Sequence, residues 1–192
     1  MGKPEKVTAA GGKDNVNHTD HVELLRKGIP CRGGVWADFG AGEGAFTMAL
    51  AELTGPEAVI YSIDKNRRAL ARQAQAMKVR FPDRRAGSLQ ILNTDFTRRI
   101  DLPPLDGLVM ANALHFQRDK EPVVRLLKSY LHPNGRLLLI EYNTDSGNAW
   151  VPHPLSYPTW EKLAARTGFM STQLLATYPS HFLREIYSAM IY

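Results

Sequence analysis

The chain has 192 residues, room for one ordinary domain with a sizeable core, and its 44% hydrophobic and 22% charged content is that of a globular protein, not of a disordered or fibrous one. A net charge of +5 invites a polyanion, but the basic residues are scattered in pairs such as Arg67-Arg68, Arg84-Arg85 and Arg98-Arg99 and never form a basic tail, so nucleic acid is not the expected partner. The single cysteine, Cys31, excludes an internal disulfide, and neither a signal-peptide core nor an apolar run of membrane-spanning length is present, so the expected location is the cytoplasm with no membrane span.

Residues 1–17 are rich in Gly, Lys, Ala and Asn without periodicity and read as a mobile arm ahead of one domain over 18–192. Thr19 can cap a short helix through Lys27, stopped by Gly28 and Pro30. Strands and helices then alternate. Val35–Phe39 is a short apolar strand followed by a helix through Leu53, and Ala58–Ile63 is a second strand. Asn66–Arg80 reads as a helix with Leu70, Ala74 and Met77 along one face. Ser88–Asn93 and Leu105–Met110 are the third and fourth strands. Glu121–Leu131 is helical, Pro133-Asn134-Gly135 is a turn, and Arg136–Tyr142 is a fifth strand. Pro158–Thr167 is the last helix. The runs Ser171–Tyr178 and Phe182–Ile191 are separated only by Pro179-Ser180-His181, too short a link for a crossover, so they form an antiparallel hairpin. The expected fold is α/β, a Rossmann-like three-layer sandwich with a mostly parallel seven-stranded sheet and a reversed C-terminal strand.

The densest chemical signal is Asp38-Phe39-Gly40-Ala41-Gly42-Glu43-Gly44, a strand turning through glycines into a helix. Such a turn brings bare backbone against a ligand. The spacing of Gly40, Gly42 and Ala45 also satisfies the dinucleotide pattern, so a nicotinamide-dependent oxidoreductase is a competing reading. Asp38 weighs against it. A carboxylate there repels a pyrophosphate and attracts an ammonium or sulfonium group, and S-adenosylmethionine carries both. Asp64 lies 64 − 44 = 20 residues past the last glycine, where an acid accepts hydrogen bonds from ribose hydroxyls; this suits either ligand.

At these residues the chain resembles the class I S-adenosylmethionine-dependent methyltransferases of the small-molecule branch, whose first motif has the form acid-x-Gly-x-Gly-x-Gly. The resemblance extends over about residues 19–192. It implies that Asp38, Gly40, Gly42 and Gly44 hold the methionine end of the donor, and that Asp64 grips the ribose with Ile63 and Lys65 beside the adenine. It further implies that Asp95 meets the adenine amino group, that Phe96 packs on the ring, and that Asn112 lines the cavity between donor and acceptor. Read from the residues alone, Asp64 could instead cap the next helix, and Asp95 and Asn112 could be plain turn residues. His18 could reach the site from the N-terminal side.

Methyl transfer from a sulfonium leaves a neutral thioether, so no group need protonate it; a base is required only where the acceptor must lose a proton. His115, Glu141 and His153 are the candidate catalytic groups, with His115 the first choice as base. His115, Tyr142, Asn143, Trp150 and Tyr157 are candidate acceptor contacts, and 143–154 is long enough to act as a lid. No spacing points to a metal. A small-molecule acceptor is expected; a non-catalytic donor-binding module and an RNA methyltransferase are the further alternatives.

Overall fold

The computed structural model describes residues 17–180 and 182–192. The N-terminal arm therefore lies, Asn17 apart, outside the described residues, as does His181 of the final hairpin. Seven strands form one sheet: β1 Val35–Phe39, β2 Val59–Asp64, β3 Leu89–Asn93, β4 Leu105–Ala111, β5 Leu131–Tyr142, β6 Thr172–Ser180 and β7 Arg184–Ile191. Their spatial order is β3-β2-β1-β4-β5-β7-β6. Strands β1 to β5 pair in parallel, whereas β7 runs antiparallel to both β5 and β6. Among the described residues the α-helices are α1 His18–Arg26, α2 Ala45–Thr54, α3 Arg67–Arg80, α4 Glu121–Lys128 and α5 Tyr157–Arg166.

The apolar run Leu137-Leu138-Leu139-Ile140 makes the three layers intelligible. Successive side chains of a strand point to opposite faces. Leu137 and Leu139 pack with Val123, Val124 and Leu127 of α4 and Trp160 and Leu163 of α5. Leu138 and Ile140 pack on the other face with Val22, Leu24 and Leu25 of α1 and Phe46 and Leu50 of α2. Gly28 follows α1 where a Cβ would stand 2.3 Å from Leu138 Cδ2, so any larger residue there would have to push that leucine aside.

Local boundaries depart from the sequence reading where tertiary partners compete. Asn17, not Thr19, caps α1, and with Asp20 it forms a reciprocal capping box. Helix α4 stops at Lys128 because Tyr130 is spent on the sheet. Its carbonyl accepts from Leu105 N at 2.9 Å and its hydroxyl from Ile100 N at 2.8 Å. Strand β5 begins at Leu131, which already pairs with Leu105; residues 132–135 then bulge before Arg136 pairs with Gly107. Strand β7 begins at Arg184, whose φ of 66° completes the turn.

Strand β1 lies between β2 and β4. The chain crosses one way to β2 and β3, then the other way to β4 and β5. Such a reversal leaves a crevice at the carboxyl ends of β1 and β4, and ligands of open α/β sheets bind there.

Candidate functional site

Beyond β1 the chain turns through Gly40, Gly42 and Gly44 at φ values of 80°, 53° and 88°, all in the left-handed region. At Gly40 a Cβ would stand 2.5 Å from Ala113 Cβ. At Gly42 it would meet nothing within 4 Å, so this turn presents bare backbone to open space. The turn is tied to β2 by Gly40 N–H on the Ile63 carbonyl at 2.8 Å and by Gly42 N–H on Asp64 Oδ2 at 2.8 Å.

Asp64 also accepts from Asn66 N at 2.7 Å. It does not cap α3: Asn66 does, through Oδ1 to the N–H groups of Arg68 and Ala69. Asp64 is thus a brace between the glycine turn and the start of the helix, half-buried at the mouth of a cleft of about 660 Å³. Gly40, Asp64, Lys65, Asp95, Phe96 and Asn112 all line that cleft, together with Phe116 and Gln117. Asp95 Oδ1 closes a tight turn onto Thr97 N and Oγ1, bonds that hold its carboxyl below the ordinary range; its other oxygen has no partner among the described residues.

A second cavity, of about 260 Å³, shares Gly40 and Asn112 with the first and is also lined by Asp38, Glu43, Phe46 and His21. Asn112 stands at their junction with a φ of 49°, and its buried Oδ1 has no hydrogen-bond partner among the described residues. A buried carbonyl oxygen left unpaired costs roughly 1–3 kcal/mol, so it awaits a donor. Asp38 is 1% exposed and accepts from Thr47 Oγ1 at 2.5 Å. Burial pushes its carboxyl up to about 7, against the opposing pull of the Thr47 bond. Thr47 was not evident in the sequence, because it lies on α2 and only the glycine turn folds it back over β1.

His115 and Glu141 come together away from these cavities' walls. His115 sits in a 3-10 turn, Leu114–Phe116, after β4, and Glu141 near the end of β5. One carboxylate oxygen accepts from His115 N at 3.1 Å and the other meets His115 Nδ1 at 2.8 Å. The pair is 3% and 0% exposed. A carboxylate on Nδ1 selects the tautomer in which Nε2 is the basic nitrogen. Phe116, next to His115, is 59% exposed and its ring centroid lies 4.3 Å from that of His115.

The remaining candidates separate. Tyr142 is buried, with ring centroids 5.9 Å from both His115 and Phe182. Asn143 is spent on structure: it donates to Glu185 Oε1 at 2.6 Å and accepts from Tyr157 N at 2.9 Å. Tyr157 packs edge-on against Tyr187. Trp150 is 73% exposed. His153 exposes its side chain while its backbone N–H donates to the His115 carbonyl at 3.1 Å. Residues 143–154 are thereby pinned at both ends, with Asp145 accepting from Ser156 and Thr159. His18 is turned aside to Glu52, 2.8 Å away. Among the described residues no group of three or more His, Cys, Asp or Glu side chains could hold a metal ion, and no helix is long and apolar enough to cross a membrane.

Residues 32–172 match the family model of the methyltransferase domain. The chain is 24% identical over 163 residues to the highly reducing polyketide synthase aurA of Calcarisporium arbuscula, an alignment covering 74% of this chain and 6% of that synthase. It is therefore comparable to one small part of that protein. Among solved structures, it superposes with a TM-score of 0.70 on the 1,6-didemethyltoxoflavin-N1-methyltransferase of Burkholderia thailandensis, seen with bound 1,6-didemethyltoxoflavin and S-adenosylhomocysteine. The two are 16% identical over 91% of this chain and 77% of the other. With the CurJ carbon methyltransferase the TM-score is 0.66 at 20% identity, over 87% and 50% of the two chains. At such identities the structural likeness is one of fold.

Proposed function

This chain belongs to the methyltransferase-domain family, and from that premise we propose that it takes its methyl group from S-adenosylmethionine and that its acceptor is a small molecule whose methylated atom first gives up a proton to His115. The donor fits the residues present. A buried acid suits its cationic end, bare backbone at Gly42 leaves it room, and the unpaired Oδ1 of Asn112 offers it an acceptor. Asp38, Gly40, Gly42 and Gly44 hold the methionine end, with Asn112 between donor and acceptor; Asp64 grips the ribose, and Lys65, Asp95 and Phe96 lie by the adenine. When bound, the donor supplies an electrophilic methyl group on a sulfonium.

The observation that carries the base is the grip of both Glu141 oxygens on His115 within a dry interior. Glu141 orients the ring and stabilises it once protonated; His115 is not itself on the cleft wall, so for Nε2 to take the acceptor's proton the exposed ring of Phe116, which lines the cleft beside it, must yield. A neutral amine acceptor, which attacks with its own lone pair, needs no such pair. A carbon acid beside a carbonyl does, and this is our leading acceptor class. The likeness to a carbon methyltransferase and to a polyketide synthase supports it. Of the acceptor-side candidates, Tyr142 and His153 stay beside His115, whereas Asn143 is spent on Glu185 and Tyr157, and Trp150 stands out in solvent. Among the described residues that line the cleft, Lys65 is the one cation against Asp64 and Asp95, a poor track for a nucleic-acid backbone. A cytoplasmic location goes with this reading.

The test is a methylation assay with labelled donor on 1,3-dicarbonyl and phenolic acceptors, with His115→Asn and Glu141→Gln beside the wild type. His115→Asn is expected to lower kcat by roughly 10²–10⁴-fold without changing donor affinity. With S-adenosylhomocysteine bound, the wild type should also exchange the acceptor's acidic C–H in heavy water. Full turnover in His115→Asn would remove the base from the mechanism, and methylation confined to phenols would replace the carbon acid with a hydroxyl.

A further inference from the structure

The 260 Å³ cavity beside the glycine turn holds two acids, Asp38 and Glu43, and one imidazole, His21. Glu43 is drawn outward to Arg72, 2.7 Å away, leaving Asp38 as the acid facing a bound cation. The amino-acid end of the donor is a zwitterion, so its carboxylate must sit in the same small space. A carboxylate taken from water beside an acid needs a donor group of its own.

His21 is the side chain lining this cavity that can carry positive charge. Helix α1 delivers it. Val22, Leu24 and Leu25 sink into the core and fix the helix over the sheet, while the capping box at Asn17 and Asp20 sets its start. The His21 ring stands edge-on to Phe46 with centroids 4.7 Å apart, which limits its rotation. Neither ring nitrogen has a hydrogen-bond partner among the described residues, whereas neighbouring His18 is spent on Glu52.

We propose that His21 recognises the carboxylate of the donor's methionine end, opposite the ammonium held by Asp38, so that α1 completes the donor site. The inference rests on the S-adenosylmethionine reading above. Burial first, then His18, holds the imidazole below its ordinary range, with Asp20 opposing; the ligand-free ring is a neutral N–H donor that an arriving carboxylate can charge. The rival anchor is the start of α2, whose cap residue Gly44 makes no side-chain hydrogen bond to the helix N–H groups.

Calorimetry on the full chain with S-adenosylhomocysteine and its decarboxylated analogue separates the two. The wild type should prefer S-adenosylhomocysteine by roughly tenfold or more. His21→Phe, which keeps an edge-packing ring and removes both nitrogens, should lose most of that preference while binding the decarboxylated analogue as the wild type does. A variant that discriminates as well as the wild type overturns the assignment and points to α2. A wild type with no preference overturns it and leaves the donor reading intact, whereas a wild type that binds neither ligand overturns both. Should His21→Phe fail to fold, NMR titration of the wild-type ring decides. S-adenosylhomocysteine should raise the His21 pKa and the decarboxylated analogue should not. Observing the ring itself separates it from His18, Asp20, Asp38 and Glu43, which also charge nearby. An unmoved ring overturns the proposal.

Discussion

Asp38 is a carboxylic acid from which folding has removed nearly all water, with one hydroxyl, from Thr47, in its place. Its raised pKa of about 7 means that the folded protein retains a proton the unfolded chain has already released above pH 4. The sign follows. Between about pH 4 and 7 the native state binds more protons, so this group's contribution to stability falls as pH rises through that window and levels off above it. The contrast between wild type and Asp38→Asn in chemical denaturation should therefore be roughly 2–4 kcal/mol more favourable to the wild type at pH 5 than at pH 8. A contrast independent of pH would show that Asp38 titrates normally. Asp64 works differently, because both its oxygens already take backbone N–H bonds. Asp64→Ala should weaken donor binding by roughly 1.5–3 kcal/mol through the lost ribose contact and a loosened turn. Unchanged calorimetric affinity would remove Asp64 from the site. The acids at 38, 64 and 95 were legible because each stands at a strand's carboxyl end. Thr47 and His21 were not: Thr47 follows the turn by three residues, but only the path of the turn sets it over Asp38, and His21 lies on α1, which packing on α2 brings to the same cavity.

At the scale of elements, the helix starts show how local chemistry and tertiary demand divide the work. Asn66 caps α3 with two bonds and leaves Asp64 free to face the cleft. Asn66→Ala should cost about 1 kcal/mol in thermal or chemical denaturation, with the donor site weakened less than by Asp64→Ala. A larger loss of donor affinity than of stability would mean that Asn66 itself touches the ligand. Strand β5 illustrates the converse. Pro133-Asn134-Gly135 is turn chemistry by any local rule, yet Leu131 before it already lies in the sheet, since Leu105 offers it a partner and residues 132–135 can bulge. Periodicity cannot show such a pairing, because the information sits on another strand.

At the scale of the molecule, the sheet is held by two apolar faces that share strand β5. Leu138 is fully buried beneath Gly28 on one of them. Leu138→Ala should cost 2–5 kcal/mol of global stability while the folded fraction keeps its donor affinity, since the site lies at the strand ends. What the amino-acid sequence determined by itself was the order of elements, the hairpin that reverses the last strand and the glycine turn with its acids. Each is written in short-range pattern: apolar alternation, link length and the φ angles only glycine accepts freely. The tertiary structure alone decided which side chains meet. Glu141 reaches His115 because β5 lies beside β4, and His21 reaches the pocket of Asp38 because the first helix packs on the second. The physical reason is common to both. Contacts between residues distant in the chain depend on the packing of whole faces, which no window of neighbouring residues contains.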